Sequence, residues 1–79
     1  MTIKQANEML DEVERQLGEE FRRRFHLWLN TTLDDTRKVT AIQVRDRGNG
    51  WLVAAIPVSE TTTAQELLVA IQRLRLTKA

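Results

Sequence analysis

The chain has 79 residues, of which 42% are hydrophobic and 29% are charged, and its formal net charge is +1. A chain of this length supports one small core, so we expect a single domain over residues 1–79 and no deep enclosed active site. It contains no cysteine, which excludes disulfides, zinc sites built on thiolates and thiol nucleophiles. Its longest apolar run is far shorter than a membrane-spanning helix and its start does not resemble a signal peptide, so we expect a cytoplasmic protein.

Charge is distributed unevenly along the chain. Residues 1–20 carry six acidic and two basic side chains, whereas residues 21–47 carry seven basic and three acidic ones. Opposite fields in two parts of a molecule can guide its association with a second copy.

Residues 2–29 have the spacing of one long amphipathic helix. Its apolar side chains recur at intervals of three, four or seven residues and form a narrow stripe: Ile3, Ala6, Leu10, Val13, Leu17, Phe21 and Trp28. Thr2 and Gln5 form a capping box at its start. Gly18 costs about 1 kcal/mol relative to alanine inside a helix, but the stripe keeps its phase through it, so we expect one helix rather than two.

A helix of this length would project beyond a compact body, because it rises about 40 Å at 1.5 Å per residue. The apolar stripe on the projecting part would then be exposed to water, and a second copy of the same helix is the simplest surface that could bury it. We therefore expect a dimer, with a self-association stripe formed by Ile3, Leu10, Val13, Leu17 and Phe21. The alternative is that the stripe packs on the sheet of its own chain.

Residues 38–58 have the pattern of a β-hairpin. β-branched residues precede a turn cluster at residues 46–50, and an apolar run follows it. Asn49 and Gly50 suit the positive φ values of a tight turn. Pro57 has no N–H to donate, so it should lie at the end of the second strand or on an outer edge.

Residues 64–76 fit two structures. Thr63 and Glu66 form a second capping box, and apolar residues follow at helical spacing, which favours a helix. The alternation around Leu74 and Leu76 fits a third strand instead. The predicted fold is α+β, with a long N-terminal helix, a β-hairpin and a C-terminal helix in the order αββα, or αβββ in the alternative.

Few side chains suit catalysis or metal binding. His26 is the single histidine and Ser59 the single serine, and neither lies in a motif for nucleophilic chemistry. Asp34 and Asp35 are adjacent in a polar connector with only Asp46 nearby, which is a poor ligand set for a cation. We expect no catalytic residue, no cofactor and no metal site.

The best interaction candidates are arginine and tryptophan side chains, the types most enriched at protein interfaces: Arg22, Arg23, Arg24, Trp28 and Trp51. Three consecutive arginines on a helix point about 100° apart and do not form one flat patch. The acidic first third of the chain also opposes a polyanion, so a nucleic-acid partner is not favoured.

The predicted turn leads into a Gly-Trp-x-Val strand (Gly50, Trp51 and Val53), and Glu60 follows the end of that strand. Together with residues 66–71, these residues resemble the core of the gas vesicle protein O family. The resemblance implies an accessory role in assembling a protein shell, and a strand rather than a helix over residues 67–76.

These observations indicate a non-catalytic protein-binding module that acts in assembly, or as an adaptor or chaperone-like component, through self-association. One alternative is a phage- or mobile-element-encoded inhibitor that occludes a host protein. A third possibility is a nucleic-acid-binding accessory factor. Neither the partner nor the stoichiometry follows from the sequence.

Overall fold

A computed structural model describes residues 1–76 of the chain, which fold in the order αβββα. The elements are α1 (Ile3–Arg24), β1 (Phe25–Thr31), β2 (Val39–Asp46), β3 (Leu52–Pro57) and α2 (Ala64–Arg73). The strands form one antiparallel sheet in the order β1-β2-β3. Both helices pack on the same face of this sheet. The α+β class is confirmed, with one strand more than the predicted αββα order.

The additional strand β1 lies where the sequence predicts the last part of the N-terminal helix, so the predicted helix over residues 2–29 is wrong from Phe25 onward. Phe25 has extended backbone angles, φ −136° and ψ 149°, and its N–H donates to the Phe21 carbonyl to close the helix. From Phe25 to Thr31 the chain pairs with β2. A lone hairpin is marginally stable in water, and this third strand gives it a larger apolar face to bury.

Helix α1 is interrupted at Gly18, which corrects the expectation of one unbroken helix. Gly18 has φ 86° and ψ 176°, angles that only glycine adopts readily. Leu17 before the break and Phe21 after it both contact the core. The break therefore keeps both parts of the helix against the sheet.

The predicted hairpin over residues 38–58 is confirmed as β2 and β3. Its turn is closed by two backbone hydrogen bonds, from the Asp46 N–H to the Trp51 carbonyl at 3.0 Å and from the Gly50 N–H to the Asp46 carbonyl at 2.8 Å. Gly50 has φ +74°, as expected, but Asn49 does not have a positive φ. Instead, the Asn49 side-chain oxygen accepts a hydrogen bond from the Trp51 N–H at 2.9 Å.

Of the two structures that the sequence allows for residues 64–76, the helix is the one present. Thr63 caps α2, and its capping box with Glu66 is complete. The helix ends at Arg73, which is shorter than predicted. The strand that the family resemblance implies over residues 67–76 is therefore not present, and β1 supplies the third strand instead. None of the helices within residues 1–76 is both long enough and apolar enough to cross a membrane.

The core lies between the sheet and the two helices. It contains three members of the predicted self-association stripe, Leu10, Val13 and Phe21, while Leu17 packs partly buried against it. Of the five stripe residues, only Ile3 is exposed, at 39%. The chain's own sheet and α2 thus cover most of the stripe, as in the alternative that the sequence leaves open. The expectation that a second helix must cover it is corrected.

Candidate interaction surface

The sheet face that points away from the helices is uncovered, and we call it the open face. Side chains alternate between the two faces of a sheet. The register therefore places the following residues on the open face: His26, Trp28 and Asn30 of β1; Ala41, Gln43 and Arg45 of β2; and Val53, Ala55 and Pro57 of β3. A bulge leaves Leu52 and Val53 together opposite Arg45. Trp28, Leu52 and Val53 are 53%, 50% and 41% exposed, so the open face is partly apolar.

Arg45 and Trp28 form a stacked pair on the open face. The Arg45 Cζ lies 5.4 Å from the centroid of the Trp28 ring, a cation–π distance. The same guanidinium donates from Nε to the Gln43 Oε1 at 3.1 Å and from Nη1 to the Gly50 carbonyl at 3.0 Å. Arg45 is thus held in place and links Trp28 to the turn that precedes Trp51.

Arg47 joins the end of α1 to the open face. Its Nε donates to the Arg22 carbonyl, and its Nη1 lies 2.8 Å from the His26 Nε2. A guanidinium has only donors, so the His26 Nε2 is the acceptor in this contact. The His26 ring in turn meets the edge of the Trp28 ring, with centroids 6.4 Å apart. Arg47, His26 and Trp28 therefore form a continuous row.

The arginines that the sequence singles out lie at the end of α1 and are exposed. Arg22 and Arg23 approach carboxylates of the same helix at 3.9 and 3.8 Å. Arg24 places its Cζ 5.4 Å from the centroid of the Phe25 ring. Arg22 and Arg23 also line a shallow recess with Arg47 and Glu19. Two of the three arginines are thus brought next to the row that leads to Trp28.

The acidic side chains of the first part of the chain lie on the helix that covers the other face of the sheet. All six carboxylates of residues 1–20 belong to α1, which packs on the covered face. The open face carries no acidic side chain among the described residues. Asp46, the last residue of β2, uses its Oδ1 to accept hydrogen bonds from the N–H groups of Gly48 and Asn49 in the turn. The open face is therefore cationic as well as apolar, which a net charge of +1 does not reveal.

β1 is an edge strand, and one row of its backbone groups has no partner strand within residues 1–76. In an antiparallel pair, alternate residues direct their N–H and C=O groups to the neighbouring strand. Hydrogen bonds from the Arg47 N–H to the Arg24 carbonyl and from the Thr32 N–H to the Lys38 carbonyl set this phase for β1 and β2. Leu27 and Leu29 therefore point their backbone groups outward.

β3 is the other edge strand, and its outward backbone groups include one donor fewer because of a proline. The bonds from the Asp46 N–H to the Trp51 carbonyl and from the Val58 N–H to the Thr40 carbonyl set the hydrogen-bonding phase of β3. Val53, Ala55 and Pro57 therefore direct their backbone groups away from β2. Pro57 ends the strand and offers no N–H, in agreement with the prediction for this residue.

The β1–β2 connection is organised by one carboxylate. Asp34 accepts hydrogen bonds from the hydroxyl groups of Thr36 and Thr32, and these bonds lower the pKa of Asp34 below its ordinary value of 3.8. Across residues 1–76, histidine and carboxylate side chains do not gather in groups of three that could hold a metal ion.

Sequence reasoning found Trp28 but missed Arg45, Arg47 and His26 as parts of the same surface. It also singled out Trp51, which pairs with Asp46 and therefore lies on the other side of the sheet from Arg45. A signal for Arg45 was present, because it alternates with the apolar residues Ile42 and Val44 of a predicted strand. The pairing of Arg45 with Trp28 was hidden, because it requires β1 to be a strand. Comparison with models of known protein families, with curated proteins and with solved structures finds no match to this chain.

Proposed function

We propose that this chain is a non-catalytic protein-binding module that acts in assembly, or as an adaptor or chaperone-like component, by pairing with a second copy along β1. The observation that supports this proposal is the unprotected edge of β1. It replaces the helix stripe as the self-association surface, since the stripe is largely buried within the chain.

Edge strands are normally protected against pairing by proline, by charged side chains, by bulges or by a covering element. The seven residues of β1 include no proline, lysine, arginine or acidic residue. The outward N–H groups of Leu27 and Leu29 form no backbone hydrogen bond within residues 1–76. β3, in contrast, has a bulge and ends in Pro57.

Pairing of two β1 strands about a two-fold axis satisfies these backbone groups in both copies at once. The two sheets then form one continuous antiparallel sheet. The helices of both copies lie on one side of it, and the two open faces become adjacent on the other. Such a pair presents a larger binding surface than either chain does by itself.

The test is the solution mass, measured by light scattering over a range of protein concentrations, together with residue-resolved amide hydrogen exchange. We expect a mass that rises with concentration from 9.2 kDa toward twice that value. The amides of Leu27 and Leu29 should gain protection as the mass rises. The outward amides of Val53 and Ala55 are the internal control and should not change.

A charged residue on the pairing edge should weaken the association. Asn30 is exposed on β1, and Asn30→Lys places a cation on the pairing edge, where lysine protects edge strands against pairing. Gln65→Lys makes a similar change at an exposed position of α2 and should leave the mass unchanged. A monomer at every concentration, or equal effects of the two variants, would overturn the proposal.

The same experiment separates the alternatives. A chain that stays monomeric and binds one host protein tightly would favour the occluding inhibitor over self-association. The accessory role in shell assembly, implied by the resemblance to the gas vesicle protein O family, is a special case of the present proposal and requires the same pairing.

A further inference from the structure

We infer that the open face binds single-stranded nucleic acid, with a base stacked on Trp28 and phosphates held by Arg45 and Arg47. This inference goes beyond self-association and does not depend on it, because a single chain contains all three residues. It rests on how the aromatic rings, the guanidinium groups and the carboxylates are distributed over the two faces of the sheet.

Trp28 supplies the stacking surface. Its side chain is 53% exposed. The Trp28 ring is held by the Arg45 guanidinium over its face and by His26 at its edge. An exposed ring that is already fixed loses little conformational freedom when a base stacks on it. The Trp28 ring is therefore prepared for contact with a planar partner.

The arginines supply positioned donors for phosphate. Arg45 and Arg47 are each fixed by hydrogen bonds from Nε and Nη1, while the Nη2 of each forms no hydrogen bond within residues 1–76. Neither forms an ion pair with a carboxylate in this part of the chain. Guanidinium groups held in one orientation with free donors suit phosphate oxygens. Arg22 and Arg23 lie beside Arg47 at the end of α1, and each of them approaches a carboxylate of that helix.

The tertiary structure weakens the main objection to a polyanion. That objection rested on the acidic first third of the chain, but those carboxylates belong to α1, which packs on the opposite side of the sheet, and of them Glu19 lines the recess beside Arg47. A strand laid on the open face meets no described acidic side chain there. A duplex hides the faces of its bases, so aromatic side chains on a flat sheet favour a single strand.

The test is binding of a fluorescein-labelled twelve-residue oligothymidylate to the intact chain, followed by anisotropy and by tryptophan fluorescence. We expect saturable binding at 50 mM salt with quenching of the tryptophans. With two phosphates contacted, the logarithm of the association constant should fall with the logarithm of salt concentration with a slope of about −1.4. A duplex of equal length should bind more weakly.

Variants localise the contact. Trp28→Ala should weaken binding about tenfold or more, and Arg45→Gln should weaken it and reduce the salt slope by about 0.7. Arg47→Gln tests the same face if Trp28→Ala disturbs folding, since Arg47 continues the row formed by His26 and Trp28. Leu33→Ala and Arg15→Gln are the matched controls, as exposed apolar and basic residues away from the open face, and should leave the affinity within twofold.

Three results would overturn the inference. The first is no change in anisotropy or fluorescence at high micromolar protein. The second is an equal loss of binding in the control variants, which would indicate non-specific attraction between charges. The third is competition by a polyglutamate peptide as effective as that by unlabelled oligothymidylate, which would show that the open face takes an acidic polypeptide without stacking.

Discussion

Replacing Gly18 by alanine distinguishes the interrupted helix α1 from a continuous one by the sign of the stability change. In a continuous helix the substitution would stabilise the fold by about 1 kcal/mol. In this structure Gly18 has φ 86° and ψ 176°, a region in which other residues are strained by about 1–3 kcal/mol. An added Cβ would meet no atom within 4 Å, so the penalty comes from the backbone and not from a clash. We expect Gly18→Ala to destabilise the protein by about 1–3 kcal/mol.

Thermal and urea unfolding, followed by circular dichroism, measure this change. In a domain of this size, 1 kcal/mol lowers the melting temperature by about 4–8 °C. Asn7→Ala is the control, because Asn7 is exposed within the regular part of α1, and it should stabilise the fold by about 0.5 kcal/mol. A Gly18→Ala variant with a higher melting temperature and a stronger helical signal would refute the interrupted helix.

Three further predictions concern the turn, the core and the β1–β2 connection. Gly50→Val should lower the free energy of unfolding by about 1 kcal/mol or more in urea titrations, because Gly50 has φ +74° and valine is strained there. Leu67→Ala should lower it by about 2–5 kcal/mol, because Leu67 is 1% exposed, and a change below 1 kcal/mol would show that α2 is not docked. The hydrogen bonds from Thr36 and Thr32 lower the folded pKa of Asp34 below 3.8, so their stabilisation is present above that pH and is lost as the pH falls through the folded pKa. An NMR titration that finds the Asp34 pKa at or above 3.8 would contradict this assignment.

The helix caps and the hairpin were predictable because their signals are local. The capping boxes of Thr2 with Gln5 and of Thr63 with Glu66 each join residues three positions apart. The positive φ of Gly50 and the outward position of Pro57 likewise follow from the properties of single residues. No distant part of the chain is needed to decide them.

The boundary between α1 and β1 was not predictable in the same way. Phe21, Phe25 and Trp28 have helical spacing, while Phe25, Leu27 and Leu29 have the alternation of a strand. One apolar segment therefore fits both periods, and local preference does not choose between them. The choice depends on β2, whose backbone groups pair with β1 from Asp46 to Val39.

The position of Trp28 on the open face depends on the same choice between helix and strand. If residues 25–29 were helical, Trp28 would continue the stripe of α1. As a strand, this segment places Trp28 on the opposite side of the sheet from the core, where it meets Arg45 of β2. The unprotected edge that supports self-association also exists only because β1 is a strand.

The sequence by itself determined the α+β class, the capped starts of both helices, the hairpin and the absence of thiol chemistry. Only the tertiary structure decided where α1 ends, that the chain covers its own helix stripe, and which apolar and basic side chains share the open face. The physical reason is that caps and turns are satisfied by near neighbours in the chain. The backbone groups of a strand, in contrast, need hydrogen bonds to another strand. Which side chains share the open face of the sheet depends on which elements cover its opposite face.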